Sequence, residues 1–430
     1  MNANVEPFSH LIDESFEEAT FLWSRWESDL SSLSRNLDEV WTWTEDRLSG
    51  ALDGVRLAPD AALARLVEMA VSDGKPIELT VCGHVLANAP APGARALLAR
   101  TLSAATGTRL RALMRGIEVA ALDGSFAPVT KLLSRHSPEH AAALAGLKAF
   151  RRAALNEELQ RAFESNITEL QVQALRAARQ LPQQYAAAWV DAGLKAEDPA
   201  VRLAAMETGI RHRIPNAWRE ALSALRDKRG TLASLMPMVA MLGHESEHQM
   251  LFSLLGKPAL QRAALWSLGT IGTLEAGHYC ITALKHPKLS RMAAEAYCAI
   301  TGADLARDRL SMPEPDEPTP SFEADNLDAN LVPTPEQQWP LPNPDALLKH
   351  WNKQQARFHP GVRYVRGLPS SPEVLMRAME TAPMLRRPDY AFELYVRTEG
   401  KYDVEPRNTR AIQRGMMTLA RTRLAEPAAA

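Results

Sequence analysis

The sequence predicts an all-α protein, an α-solenoid of paired short helices, and three observations carry that prediction. The first is a repeat. Pro258-Ala259-Leu260-Gln261-Arg262-Ala263-Ala264 recurs as Pro287-Lys288-Leu289-Ser290-Arg291-Met292-Ala293, and the copies reach Ile271 and Ile300 in register. An earlier copy, Asp198-Pro199-Ala200-Val201-Arg202-Leu203-Ala204-Ala205, reaches Ile210 after a slightly shorter helix. The second is the period. At roughly thirty residues it holds two short helices and is too short for an independent domain. Such units bury their apolar faces only by stacking on neighbours. The third is composition: aromatics are few, at 6%, and alanine-rich segments abound, which suits short helices whose axes approach closely.

With 430 residues, 46% hydrophobic and 23% charged, the chain is long enough for two or three domains or one stack with flanking pieces, and general disorder is excluded. Cys82, Cys280 and Cys298 form no C-x-x-C pair and no disulfide framework, which points to a reducing compartment. The start, Met1-Asn2-Ala3-Asn4-Val5-Glu6-Pro7, lacks the basic and apolar regions of a signal peptide. No apolar run approaches the roughly twenty residues that span a bilayer. A soluble cytoplasmic protein that inserts in no membrane is therefore expected, with no cofactor.

Net charge is only -2, but it is uneven. Residues 1–60 carry 13 acids against Arg25, Arg35, Arg47 and Arg56, and residues 311–348 carry eight acids with no Lys or Arg. Two acidic segments on a basic frame either pair internally or face a basic partner. The C-terminal stretch 349–430 holds 15 bases against eight acids, scattered without stacking aromatics, so direct nucleic-acid binding is not expected.

Four regions follow: a helical N-terminal cap (1–60), helical repeats (61–310), an acidic Pro-rich linker or strap (311–345) and a small helical C-terminal region (346–430). In the cap, Phe16, Ala19, Leu22, Trp23 and Trp26 make one helical stripe. A second helix begins near Asn36, with Glu39 completing a capping box, and places Leu37, Val40, Trp41, Thr44 and Leu48 on one side before ending at Gly50 or Gly54. Trp23, Trp26, Trp41 and Trp43 are expected to form the core of this cap. Breaks at Gly74-Lys75-Pro76, Pro90-Ala91-Pro92-Gly93 and Asp123-Gly124 divide the next helices, and Ser137-Pro138 restarts one with Pro at its first position. Nine prolines and seven acids between Ser311 and Pro344 exclude helix and central strand, leaving Phe322 and Trp339 as that stretch's large apolar anchors. Helices near 346–358, 372–380, 388–397 and 409–423 finish the chain.

One chemical motif stands out. His244-Glu245-Ser246-Glu247-His248 satisfies H-E-x-x-H, which on a helix puts two imidazoles on one face to hold zinc while a Glu activates water. Gly243 ends the preceding helix, however, so the run falls in an inter-helix turn, where polar residues belong. A third ligand would have to come from Glu275 or His278. Arg202, Arg262 and Arg291 recur at one repeat position, and a ladder to acids of neighbouring repeats is the expected use.

The Asp198–Ala205 stretch resembles the short bacterial form of HEAT repeats, with its D-P-x-V-R-x-x-A start. Glu17-Glu18-Ala19-Thr20-Phe21-Leu22-Trp23 and Leu48-Ser49-Gly50-Ala51-Leu52-Asp53-Gly54-Val55-Arg56 resemble the opening of a family of bacterial HEAT-like proteins found beside type VI secretion effectors. Gly361-Val362-Arg363-Tyr364-Val365-Arg366-Gly367-Leu368-Pro369, Arg386-Arg387 and Phe392-Glu393-Leu394 resemble its ending. The resemblance implies an immunity protein, without catalysis of its own, that binds and blocks a type VI DNase effector of the GHH/HNH-like class. It supplies no binding residues.

Charge supplies candidates, because a nuclease must present basic residues to phosphates. They are Glu14, Glu17, Glu18, Asp38 and Glu39 in the cap, and Asp316, Glu317, Glu323 and Asp325 in the strap. Competing readings are a scaffold or adaptor of the secretion machinery, and an enzyme: a zinc hydrolase using His244, Glu245 and His248, or a HEAT-type lyase acting on a tetrapyrrole.

Overall fold

The computed structural model describes residues 9–120, 137–151, 153, 157–227, 232–314, 336 and 339–425. The described chain is all-α in character, with neighbouring helices packed on one another and a single two-residue hairpin among the described residues. It divides into two compact units: Met1–Glu220 with Pro383–Ala391 and Thr398–Ala430, and Ala221–Ala382 with Phe392–Arg397. Residues 346–430 are thus distributed over both.

The first unit begins with α1 (Ser9–Asp29), whose stripe of Phe16, Ala19, Leu22, Trp23 and Trp26 is buried. Asn36 caps α2 (Leu37–Val40): its Oδ1 accepts the Asp38 and Glu39 amides, each at 3.0 Å, and Glu39 Oε2 accepts the Asn36 amide at 2.7 Å. A π-helical turn, Trp41–Glu45, then leads into α3 (Asp46–Arg56). That helix passes through Gly50 and Gly54 instead of ending there. Gly54 lets α3 approach α1 closely, since a Cβ there would oblige the Ser15 side chain of α1 to move.

Next come α4 (Asp60–Asp73), α5 (Pro76–Asn88), α6 (Ala94–Ala104) and α7 (Gly107–Val119). Gly74, in the left-handed region at φ 70°, closes α4 as expected of a C′ glycine. The α5–α7 contact is unusually close: a Cβ on Gly83 would strike the Leu113 carbonyl, and one on Gly116 the Thr80 carbonyl. The break expected at Asp123-Gly124 lies outside the described residues. Beyond it are α8 (Pro138–Phe150), α9 (Glu157–Phe163), α10 (Thr168–Ala178), α11 (Gln183–Leu194), α12 (Pro199–Arg211) and α13 (Pro215–Arg226), the last crossing the boundary between units. Each of α10 and α11 packs on α12. Ser137 and Asp198 cap α8 and α12, with proline in the first turn of each.

In the second unit α14 (Leu235–Leu242), α15 (Glu245–Leu254), α16 (Gln261–Ile271), α17 (Leu274–Ala283) and α18 (Pro287–Thr301) pack in the same way, each on the next and the even-numbered ones on each other. The repeat ends in Gly272 and Gly302, both left-handed, at φ 68° and 75°. The segment after α19 (Pro344–Gln354) lies against those two ends. It forms the hairpin of β1 (Tyr364–Val365) and β2 (Leu368–Pro369). The Tyr364 amide donates to Gly272 O at 2.8 Å, and Arg366 and Gly367 donate to Ala299 O and Ile300 O at 2.8 and 2.7 Å. Helices α20 (Pro372–Thr381), α21 (Arg387–Arg397, divided between units at Ala391) and α22 (Arg410–Ala425, in the first unit) complete the chain.

The repeated arginines do not build the expected ladder. Arg262 pairs with Glu336, and Arg291 pairs with Glu314 at 2.7 Å and donates to Trp339 O, so both hold described ends of the Pro-rich stretch. Arg202 donates to Ala196 O and Glu197 O, each at 2.7 Å. Phe322 lies outside the described residues.

Candidate functional site

The H-E-x-x-H run sits where α14 turns into α15. His244 is the N-cap, and its amide donates to Glu247 Oε2 at 2.8 Å, so Glu247 serves the capping of α15. Burial pushes the Glu247 pKa up, but that bond and other local donors outweigh it and hold the carboxyl below its usual range. His248 Nε2 lies 3.0 Å from Ala240 O in the last turn of α14. A carbonyl only accepts, so this nitrogen carries the proton. Burial, reinforced by the Arg363 charge, lowers the His248 pKa and keeps the ring neutral.

Two other histidines do the same job elsewhere: His140 Nε2 reaches Leu102 O at 3.0 Å and His212 Nε2 reaches Ala178 O at 3.2 Å. Each covers a carbonyl at the C-terminal end of a helix; Leu102 O and Ala178 O also accept the Ala105 and Leu181 amides, at 3.2 and 3.0 Å. The second histidine of the motif is therefore one of a structural set.

Around the motif, a cleft of about 770 Å³ brings together His244, Glu245, His248, Glu275 and His278. The sequence spacing anticipated this grouping, but the tautomers oppose a metal. The Trp351 indole N–H donates to His278 Nδ1 at 3.2 Å, so a neutral His278 carries its proton on Nε2. Glu275 accepts from Gln249 at 3.0 Å. Among the described residues no group of three His, Cys, Asp or Glu side chains is arranged to hold a metal ion.

The acidic candidates fall into three groups. Asp316, Glu317, Glu323 and Asp325 lie outside the described residues. Asp38 is enclosed by Arg410 at 2.6 Å and Arg414 at 2.7 Å, and Glu39 is consumed by the capping box. A modest burial effect raises the Asp38 pKa, and the two arginines more than reverse it. Glu14, Glu17 and Glu18 are exposed on α1. Glu18 pairs with Arg47 of α3 at 3.0 Å, while Glu14 and Glu17 are in no ion pair among the described residues.

The structure adds two residues that sequence reasoning assigned differently or passed over. Trp43, expected in the core, is 65% exposed, and Phe21 on α1 is 68% exposed. Glu18 lies one helical turn from Phe21, Arg47 lies about one turn from Trp43, and the Glu18–Arg47 pair joins the two elements. Both aromatics are exposed on the elements that this ion pair joins. Within the π-turn Thr44 and Glu45 face inward, where Thr44 Oγ1 donates to Asp29 at 2.5 Å and Glu45 accepts from Trp26 at 3.0 Å. Trp43 is left facing water.

No family model and no curated protein matches this chain. Among solved structures, the crystal structure of an engineered protein aligns with 69% of this chain and 95% of its own, at 14% identity and a TM-score of 0.27, which carries no argument.

Proposed function

We propose that the chain is a non-catalytic protein inhibitor, a HEAT-like α-solenoid serving as immunity protein to a type VI DNase effector, and that it engages the toxin's basic surface through α1. The observation that carries the reading is the exposed α1 face. Glu14 and Glu17 are in no ion pair among the described residues on the helix that also exposes Phe21, and Trp43 is exposed on the element that the Glu18–Arg47 pair ties to it. Large exposed aromatics rimmed by charge are the composition of a protein-binding hot spot. Unpaired carboxylates suit a partner that must carry Lys and Arg for its own work on phosphate. Support for the HEAT-like form is the recurrent packing of helices on their next and next-but-one neighbours. The His244–His248 cleft is left out of the function because its histidines are engaged in the fold.

No helix of the described residues is long and apolar enough to cross a membrane. The test is co-purification from the native cell followed by a nuclease assay on what comes with it. One basic partner that cuts DNA only after this chain is removed is the expected outcome. Phe21→Ala or Trp43→Ala should then weaken the complex by about 2 kcal/mol each, and Glu14→Lys/Glu17→Lys should slow association most at low salt. Recovery of several secretion components with no nuclease would replace the inhibitor by a scaffold.

A further inference from the structure

A second cleft, of about 400 Å³, opens in the first unit among α4, α5, α6 and α7. That volume is within the range of roughly 300–1,000 Å³ typical of small-molecule sites. Its floor is apolar: Val67, Leu79, Leu97 and Leu113 line it and are all at least nine-tenths buried. Its rim is not. Arg100 of α6 and Arg109 of α7 both line the cleft, both are exposed, and neither is in an ion pair among the described residues. Arg109 Nη2 donates to Val71 O at 3.2 Å, in the last turn of α4. That bond anchors the guanidinium beside the cleft and leaves the rest of its donors open. Glu68 is the one acid among the lining residues, against these two arginines.

We infer that this cleft binds a free medium-chain acyl carboxylate, with its tail on the apolar floor and its carboxylate between Arg100 and Arg109. The chemistry follows from the two halves of the site. An apolar floor gains from methylenes and offers a polar ligand nothing. Each guanidinium, without a carboxylate partner among the described residues, offers the planar donor fork that a carboxylate matches. A neutral alcohol of the same length fills the floor but leaves the arginines unused, and a short carboxylate does the reverse. The inference stands apart from the inhibitor reading, since it concerns neither α1 nor a protein partner.

Calorimetric titration of the full chain with sodium octanoate, decanoate and decanol, each kept below its aggregation limit, tests it. One saturable site is expected, with decanoate binding about fourfold tighter per added methylene than octanoate and decanol at least tenfold weaker than decanoate. In the Arg100→Gln/Arg109→Gln variant the preference for decanoate over decanol should vanish. Ala104→Trp, at an exposed position on the lining, should abolish binding of both while the thermal midpoint stays put. No saturable binding by the unaltered chain would overturn the site. Equal affinity for decanoate and decanol, or decanoate binding untouched by loss of both arginines, would overturn the carboxylate assignment. Sedimentation with phosphatidylglycerol vesicles separates a free acid from a membrane lipid, and arginine-dependent vesicle binding would refute the free acid as ligand.

Discussion

Glu27 on α1 and Arg115 on α7 meet at 2.5 Å, and Arg407 closes on the same carboxylate from the far end of the chain at 3.1 Å. The three residues tie the first helix, the seventh and the loop before α22 within the first unit. Arg115 also lies 5.4 Å from the centre of the Trp26 ring, which gives the guanidinium an aromatic face as well as an anion. Burial pushes the Glu27 carboxyl up, and Arg115 and Arg407 together pull it below its ordinary 4.5.

Glu27→Gln should therefore destabilise the protein by roughly 2 kcal/mol, between the value of about 1 for exposed pairs and the 3–5 for buried ones. The sign of its pH dependence follows. A depressed folded pKa contributes stability above the unfolded value of 4.5, lost as pH falls through the folded pKa. Urea titrations at pH 7 and at pH 3 should show the gap between wild type and variant closing at the lower pH. An unchanged gap would mean that the pair is not what Glu27 supplies.

The close approach of α5 and α7 rests on Gly83 and Gly116, where an added Cβ would overlap a carbonyl of the facing helix. Backbone cannot turn away as a side chain does, so Gly116→Ala should cost about 3 kcal/mol, the upper end of overpacking penalties. Gly146, in the middle of α8, has open space at its Cβ position. Gly146→Ala should be neutral or gain roughly 0.5–1 kcal/mol, as alanine normally does inside a helix. Thermal melts of the two variants side by side check this, and equal behaviour would remove the close contact from the account.

How far these features could be read in advance depends on the distance over which their cause acts. Asn36 with Glu39, and Ser137 with Pro138, were legible because a cap is set by residues within a turn. The buried stripe from Phe16 to Trp26 was legible for the same reason. Trp43 was misassigned because it was placed in the core by residue type, although the stripe of Leu37, Val40, Thr44 and Leu48, all buried, leaves position 43 on the other side. The arginine row failed differently. Its repeat spacing was correct, but the acids that answer Arg262 and Arg291 come from a non-repeating stretch tens of residues later. For the candidate site, the charge excess at 1–60 was visible. Its neutralisation by Arg407, Arg410 and Arg414 was not, because those residues follow more than 350 positions on.

His84 on α5 packs against the Trp23 ring at 5.3 Å, and burial drives its pKa down from 6.5 to about 4. Here the unfolded chain takes up the proton first. Stability should fall as pH drops from 6.5 towards about 4, by an amount on the order of 2–3 kcal/mol from this residue. Proton NMR of the His84 ring should show no titration until near pH 4. A midpoint at 6 or above would refute the buried neutral state. His84→Leu should flatten the acid limb of the stability curve relative to wild type.

Glu393 is fully buried in the second unit and holds two arginines at once. Arg363 grips both carboxylate oxygens, and Arg397 Nε donates to Oε1 at 2.6 Å. Each arginine then reaches a helix end: Arg363 Nε donates to Thr270 O at 2.8 Å in the last turn of α16, and Arg397 Nη2 to Met241 O at 3.0 Å in the last turn of α14. One carboxylate thus aims two guanidiniums at carbonyls that have no partner in their own helices. Two of the tail stretches singled out in the sequence, Gly361–Pro369 and Phe392–Leu394, meet in this cluster. Glu393→Gln leaves the largely buried Arg363 and the half-exposed Arg397 short of an anion and should cost about 3–5 kcal/mol. Arg397→Gln, whose side chain is 41% exposed, should cost only about 1. Hydrogen exchange separates a local effect from a global one. If Glu393 organises the hairpin, the amides of Tyr364, Arg366 and Gly367 should lose protection in Glu393→Gln before the helices of the same unit do. Simultaneous loss everywhere, or a cost below that of Arg397→Gln, would assign the burial of Glu393 to packing alone.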